Sequence, residues 1–147
     1  MELIYPNRKA KRIITIASIL LLAVALTQPA FYVGEETHTP WSSAAAFFFG
    51  WFGVFCCKAG ISWLANLCLV SAWLNMKGNP QRASIASFLA IIFALTFLMA
   101  KTIMVDEAGH MGGITGLAPG YYLWIASMVV CLAGAIAMWI MENSGGK

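Results

Sequence analysis

SSAAAFFFGWFGVFCCKAGISWLANLCLVSAWLNM, residues 42–76, carries a single charge, Lys58, and is too long to be one straight crossing of a bilayer. A straight helix over it would be ~52 Å long, against a hydrocarbon core of ~30 Å. The stretch must bend, and Gly50, Gly53, Lys58 and Gly60 mark where. This predicts a short interfacial or re-entrant outer helix over about 43–57, a break at 58–60, and a true span over about 61–76. At the outer interface Lys58 can snorkel its ammonium into the headgroups, whereas at the bilayer centre it would be costly.

Three further apolar runs flank this stretch, at about 13–33, 83–104 and 120–141. Each is close to the ~20 residues that a transmembrane helix needs. Composition agrees. The chain is 61% hydrophobic and 10% charged, against ~25% charged in soluble domains, and its mean hydropathy is +0.78. A water-soluble fold would expose much of that apolar surface and is excluded. The expected fold is all-α: one integral membrane domain over 1–147, a four-helix bundle with the additional outer helix. The net charge of +3 sits at the ends of apolar runs and gives no nucleic-acid signal. Arg8, Lys9, Lys11 and Arg12 ahead of an apolar run, with Ala23-Val24-Ala25 within it, have the look of a signal peptide. The run continues past that site to about residue 33, so it is expected to stay as the first span.

Lysine and arginine set the orientation. The basic cluster Arg8 to Arg12 places the N-terminus in the cytoplasm. The segment 34–43 has no Lys or Arg and reads as extracytoplasmic. Lys77 and Arg82 mark a cytoplasmic turn, and 105–119, again without Lys or Arg, reads as outside. The C-terminal tail then falls inside. This holds only if residues 42–76 make one net crossing. Trp41, Trp51, Trp63, Tyr121, Tyr122 and Trp124 would gather at the outer interface, with Trp73 and Trp139 nearer the inner one, as amphipathic rings favour both belts. A bacterial inner membrane is the expected location.

Small residues at helical spacing should face into the bundle: Ser127, Cys131 and Gly134 with Ala133 and Ala137; Ala83 and Ser87 with Ala86 and Ala90; Ser62, Ala65 and Asn66 with Ser71 and Ala72. Asn66 is the most polar group deep in a span. Its amide is expected to hydrogen-bond a neighbour such as Thr96 or a backbone carbonyl, and it is the candidate intramembrane polar contact. Cys56, Cys57, Cys68 and Cys131 show no CxxC spacing and read as small hydrophobes.

Both histidines and four carboxylates fall on the outer face: Glu35, Glu36, His38, Asp106, Glu107 and His110. If the two loops meet, they form a candidate binding cluster for a divalent metal or a cationic partner. Loops without Lys or Arg are also what the topology rule requires, and this plainer reading is favoured. No HExxH, GxSxG or Ser/His/Asp arrangement is present, so no catalytic residue, metal or cofactor is expected. The glycine-rich segment 109–120 follows a span and joins no strand to a helix, which excludes a nucleotide loop. It is expected to turn tightly over the bundle.

Gly50-Trp51-Phe52-Gly53, followed by Trp63-Leu64-Ala65-Asn66, is similar to a Gly-Trp-x-Gly … Trp-x-Ala-Asn pattern of small bacterial inner-membrane proteins of unknown function. Asp106-Glu107-Ala108-Gly109, Ile114-Thr115-Gly116 and Pro119-Gly120-Tyr121-Tyr122-Leu123-Trp124-Ile125-Ala126-Ser127 resemble the end of the same proteins. The resemblance implies a four-span bundle and supplies no catalytic residues. Leu67 stands where that family often has Pro, so no kink is carried over there.

The first functional expectation is a non-enzymatic membrane protein acting by protein–protein interaction, as an accessory subunit or a toxin-immunity protein. The alternative is a small oligomeric channel or transporter subunit, favoured by the bent segment and Asn66. A metal-assisted enzyme using His38 and His110 ranks third. The expected partners are the lipid bilayer and either another protein or further copies of this chain.

Overall fold

The structure is a computed structural model that describes residues 5–34, 38–56, 58–106 and 108–144. The first helix, α1 (Tyr5–Leu26), is followed by strands β1 (Pro29–Val33) and β2 (Thr39–Ser42) and then by α2 (Ser43–Cys56). A 3-10 segment, Lys58–Trp63, leads into α3 (Leu64–Met76). Helix α4 (Pro80–Thr96) ends in a 3-10 turn, Phe97–Met99, before β3 (Thr102–Met104), β4 (Met111–Leu117) and α5 (Pro119–Ser144). Residues 42–76 break between α2 and the 3-10 segment that holds Lys58 and Gly60, whereas Gly50 and Gly53, also expected to mark the bend, lie within α2.

Three helical stretches are long and apolar enough to cross a membrane: Lys58–Met76, Pro80–Met99 and Pro119–Ser144. In α1 the basic residues occupy the first turns, so only its part from Ile13 onward is uncharged. Helix α1 packs along α5, α5 along α4, and α4 along α3, while α2 lies mainly against the 3-10 segment. The core is made of small residues and thioethers: Ala65, Ala72, Ala83, Ala90, Ala94, Met128, Cys131 and Ala135 are all fully buried. Close backbone approach is how helices gain packing energy where lipid supplies no hydrophobic drive. Ala133, Ala137 and Ser71, expected inside, face outward. On α5 the inner stripe runs instead through Ser127, Cys131, Ala135 and Met138.

The all-α expectation is corrected by a four-stranded antiparallel sheet in the order β2-β1-β4-β3. Residues 29–33 and 102–104 read as the ends of spans, but they are strands. At the first, Thr27 Oγ1 donates to Val24 O and Gln28 N to Ala25 O, closing α1. Pro29 then offers no N–H to continue a helix, and Phe31, Tyr32 and Val33 are residues that suit a strand. Their partners are Leu117, Gly116 and Ile114 of β4. The glycine-rich segment is therefore mostly strand. Gly112 is needed for closeness: a Cβ there would stand 2.5 Å from the side chains of Val33 and Val105. The sheet sits on the bundle through the rings of Phe31, Phe97 and Tyr121, with centroids 5.0 and 5.6 Å apart in sequence. Tyr121 also donates its hydroxyl to Ala94 O at 3.0 Å.

The opposite end of the bundle is tied by one lysine. Lys11 of α1 is buried, donates to Lys77 O in the α3–α4 turn, and pairs with Glu142 of α5. The turn itself is fixed by Asn79, whose side chain accepts from Arg82 N at 3.0 Å, and by Pro80 at the first helical position. Because Glu142 is partly exposed, the ion pair is screened. Replacing Lys11 with Met keeps the stem's packing and removes the charged contacts. It is expected to lower stability by about 1 kcal/mol, read as a drop in the thermal midpoint in detergent.

Candidate functional site

Beneath the sheet, between α2 and the sheet-side ends of α1 and α5, lies a cleft of about 720 Å³. That is within the ~300–1,000 Å³ range of small-ligand pockets. Its roof is Phe31 stacked on Trp41, rings 5.9 Å apart and 12° from parallel. One wall is the small-residue side of α2 (Ala45, Ala46, Gly50, Gly53), the other is Leu22 and Ala25 of α1 with Tyr121 of α5. Trp63, Asn66 and Trp124 also line it.

The residues around it lock one another. Trp63 donates its indole N–H to Phe47 O at 2.7 Å. Gly50 makes room for that indole, since a Cβ would approach Trp63 Cδ1 to 2.8 Å. Gly60 meets Gly53 backbone to backbone, where no side chain fits. Gly120, at the start of α5, leaves space for Ser43 Oγ and for the carbonyls of Pro29 and Ala25. Trp124 donates to Asn66 Oδ1 at 2.9 Å. Asn66 thus bonds an indole, while Thr96, the neighbour proposed from sequence, donates to Phe93 O in its own helix.

Several of the aromatics expected at the interfaces also take part in the packing of the fold. Trp41, Trp63, Tyr121 and Trp124 pack or hydrogen-bond within the fold, and among the outer set Trp51 and Tyr122 are the exposed ones. Trp73, expected near the inner interface, turns its N–H inward to Ser18 Oγ at 2.9 Å, and Ser18 donates to Ser127 O at 2.8 Å. That chain of bonds joins α3, α1 and α5.

One polar atom in the cleft is unanswered. Ser43 is more than nine-tenths buried, lines the cleft, and its Oγ has no hydrogen-bond partner among the described residues. That oxygen has essentially no accessible surface and packs against Gly120, beside the carbonyls of Pro29 and Ala25.

The acidic and histidine residues of the expected binding cluster are arranged differently from the cleft. Asp106 and His110 come together: Asp106 accepts from His110 N at 3.0 Å and pairs with its Nδ1. His38 instead contacts Thr115 Oγ1 at 3.3 Å. Glu35, Glu36 and Glu107 lie outside the described residues, as does Cys57. Among the described residues no three His, Cys, Asp or Glu side chains gather as a metal group. The Asp106 carboxyl is held below the ordinary carboxylate range, first by the His110 backbone N–H, then by its ring, then by the N–H groups of Ala108 and Gly109. A depressed folded-state pKa adds stability above the unfolded value of ~3.9 and loses it as pH falls through the folded one. The protection of the Gly109 and His110 amides, their exchange rates taken relative to the intrinsic rate at each pH, is therefore expected to be constant from neutral pH to about 4 and to fall below it. Asp106→Asn should remove that step.

The fold and the cleft define a class: a bundle of membrane-length helices capped by a β-sheet, with an apolar cleft between cap and bundle. Comparison of the chain with protein-family models, with curated proteins and with solved structures gave no match. The cleft draws its walls from most of the chain's elements. Its one sequence signal was the Gly-Trp-x-Gly and Trp-x-Ala-Asn pattern, whose residues Gly50, Gly53, Trp63 and Asn66 all line it.

Proposed function

We propose that this chain is a four-span protein of a bacterial inner membrane, with both termini in the cytoplasm, that acts by binding a protein partner on its extracytoplasmic face. The observation that carries the reading is the order of that face. The segments between spans form a sheet seated on Phe31, Phe97 and Tyr121. A preorganised surface binds without the cost of ordering loops. The basic residues support the orientation, since Lys11 and Lys77 meet at the end of the bundle away from the sheet. In this arrangement α1 is the fourth span, its basic first turns reaching the headgroups.

The test is the intact mass of the complex recovered from native membranes in mild detergent, with a photo-crosslinking residue in place of exposed Tyr122. A stoichiometric second protein, crosslinked through position 122, is the expected result. A homo-oligomer with no partner overturns it. The channel reading keeps one supporting observation, the discontinuity between α2 and α3. Its other support is weaker now that Asn66 is engaged by Trp124. Ion flux from purified protein in liposomes decides between the two.

A further inference from the structure

We propose that the free edge of β3 pairs with the β3 edge of a second copy of this chain, joining two four-stranded sheets into one across a two-fold axis. The inference is independent of any other protein partner.

The ladder decides which backbone groups face that edge. Val105 N–H donates to His110 O at 2.8 Å and Ile114 N–H to Lys101 O at 2.9 Å. Lys101, Ile103 and Val105 therefore turn their backbone groups toward β4. In an antiparallel strand such residues alternate with residues that turn away. Thr102 and Met104 thus present their N–H and C=O groups to the open side, and β4 is the element packed along β3. The opposite edge of the sheet is closed. Gly34 N–H donates to Gly113 O and Ala118 N–H to Ala30 O, so Ala30, Tyr32 and Gly34 face β4. Phe31 and Val33 are left to pair with Trp41 and Thr39 of β2. Pro40, between those two, faces outward, where it has no N–H to offer. Proline is one of the devices that keep a sheet edge from pairing. Within Thr102–Met104 there is none.

An extended strand is the partner whose backbone matches these alternating donors and acceptors, and charge selects a second copy of this one. Lys101 stands just before β3 and Asp106 shortly after it. A lysine beside an edge ordinarily discourages pairing. Antiparallel pairing centred on Ile103 reverses that effect. It sets Thr102 against Met104 of the second copy, and it brings the basic end of each strand beside the acidic end of the other. Lys101 has no ion-pair partner among the described residues. The axis of such a pair is perpendicular to the joined sheet. Both bundles then lie on the same face of it, so the two copies share one orientation in a membrane. With the β2 edges closed, growth stops at two copies, an isologous and closed assembly.

The full chain in mild detergent with added lipid is weighed intact over a dilution series, with a photo-crosslinking residue in place of exposed Thr102 in a parallel sample. A dimer crosslinked through position 102 is the expected result. Met104→Pro removes an N–H from the open side without touching the bonds to β4, and should leave a folded monomer. Lys101→Glu and Asp106→Lys should each raise the dimer dissociation constant roughly tenfold, since like charges then meet at both ends. Mixed in equal amounts, these two variants should prefer each other, because opposite charges meet at both ends of the mixed pair.

A parent that is monomeric at every concentration overturns the proposal. So does a dimer that persists unchanged in Met104→Pro, or a crosslink from position 102 to a different protein. If Met104→Pro does not fold, the mixing experiment decides alone, and a random mixture of pairs rejects the β3 edge. The two readings fail separately. A dimer without a second kind of protein supports this inference and removes the partner reading, whereas a partner bound to a single copy does the reverse.

Discussion

Gly60→Ala is expected to abolish most of the folded protein. The 3-10 segment crosses α2 with Gly60 against Gly53, and a Cβ on Gly60 would overlap the carbonyl of Gly53 and the N–H of Val54. All of these atoms are backbone. No rotamer change relieves the overlap, so α2 and the 3-10 segment must separate. Overpacking usually costs ~1–3 kcal/mol where side chains can adjust. Here the cost should reach or exceed the top of that range, a large share of the ~5–15 kcal/mol that holds a domain together. Gly134→Ala is the graded comparison, because the nearest atoms to its Cβ would be those of the Ile14 side chain, which can move. Gly78→Ala is the control: nothing lies within 4 Å of a Cβ there, and the change should stay within about 0.5 kcal/mol. Yield of monodisperse protein and the thermal midpoint check all three. Equal behaviour of the Gly60 and Gly78 variants would mean that α2 does not dock as described.

The crossing at Gly60 was legible in outline, because length against bilayer thickness is a hard constraint. Residues 42–76 had to break, and glycines beside a lone lysine were the weakest place. The short helix expected over 43–57 is present as α2 over Ser43–Cys56. What the sequence hid was the sheet. Phe31, Tyr32, Val33, Ile103 and Met104 are as hydrophobic as the helices they follow, and hydropathy has no means of separating the last turn of a span from a buried strand. Pro29 was the local cue at the first site. At the second, the chain changes from 3-10 turn to strand around Ala100, which no residue type announces. The glycines of β4 misled in the same way. Glycine marks close approach as readily as a turn, and only the neighbours Val33 and Val105 tell which. The cleft was illegible as a cavity because it is made by elements far apart in the chain. The acidic and histidine cluster drew on charge pattern alone, and the fold pairs only Asp106 with His110 among its described members.

Asn66 was the polar residue that a sequence reading singles out, and its partner gives the second large effect. In the structure it accepts the indole N–H of Trp124, across the interface of α3 and α5, and both residues line the cleft. Asn66→Leu leaves that N–H without an acceptor in an apolar surround, which should cost about 2 kcal/mol. Trp124→Phe strands the amide oxygen instead and removes ring volume from the wall. The double variant, apolar on both sides, should lose less than the sum of the singles. The expected coupling is ~0.5–2 kcal/mol, in the range of interhelical hydrogen bonds within membranes. Additive losses would show that the two side chains do not bond. The same variants separate structure from transport. If Asn66 serves only to hold Trp124, partner recovery falls with stability and returns at lower temperature, while liposome flux is the same as for the parent. If flux from the parent is measurable and Asn66→Leu removes it while the thermal midpoint stays unchanged, the amide faces a permeation path and the channel reading replaces the binding one. The bond to Trp124 argues for the first outcome, because an amide oxygen already accepting an indole proton has one lone pair fewer to offer a passing ion.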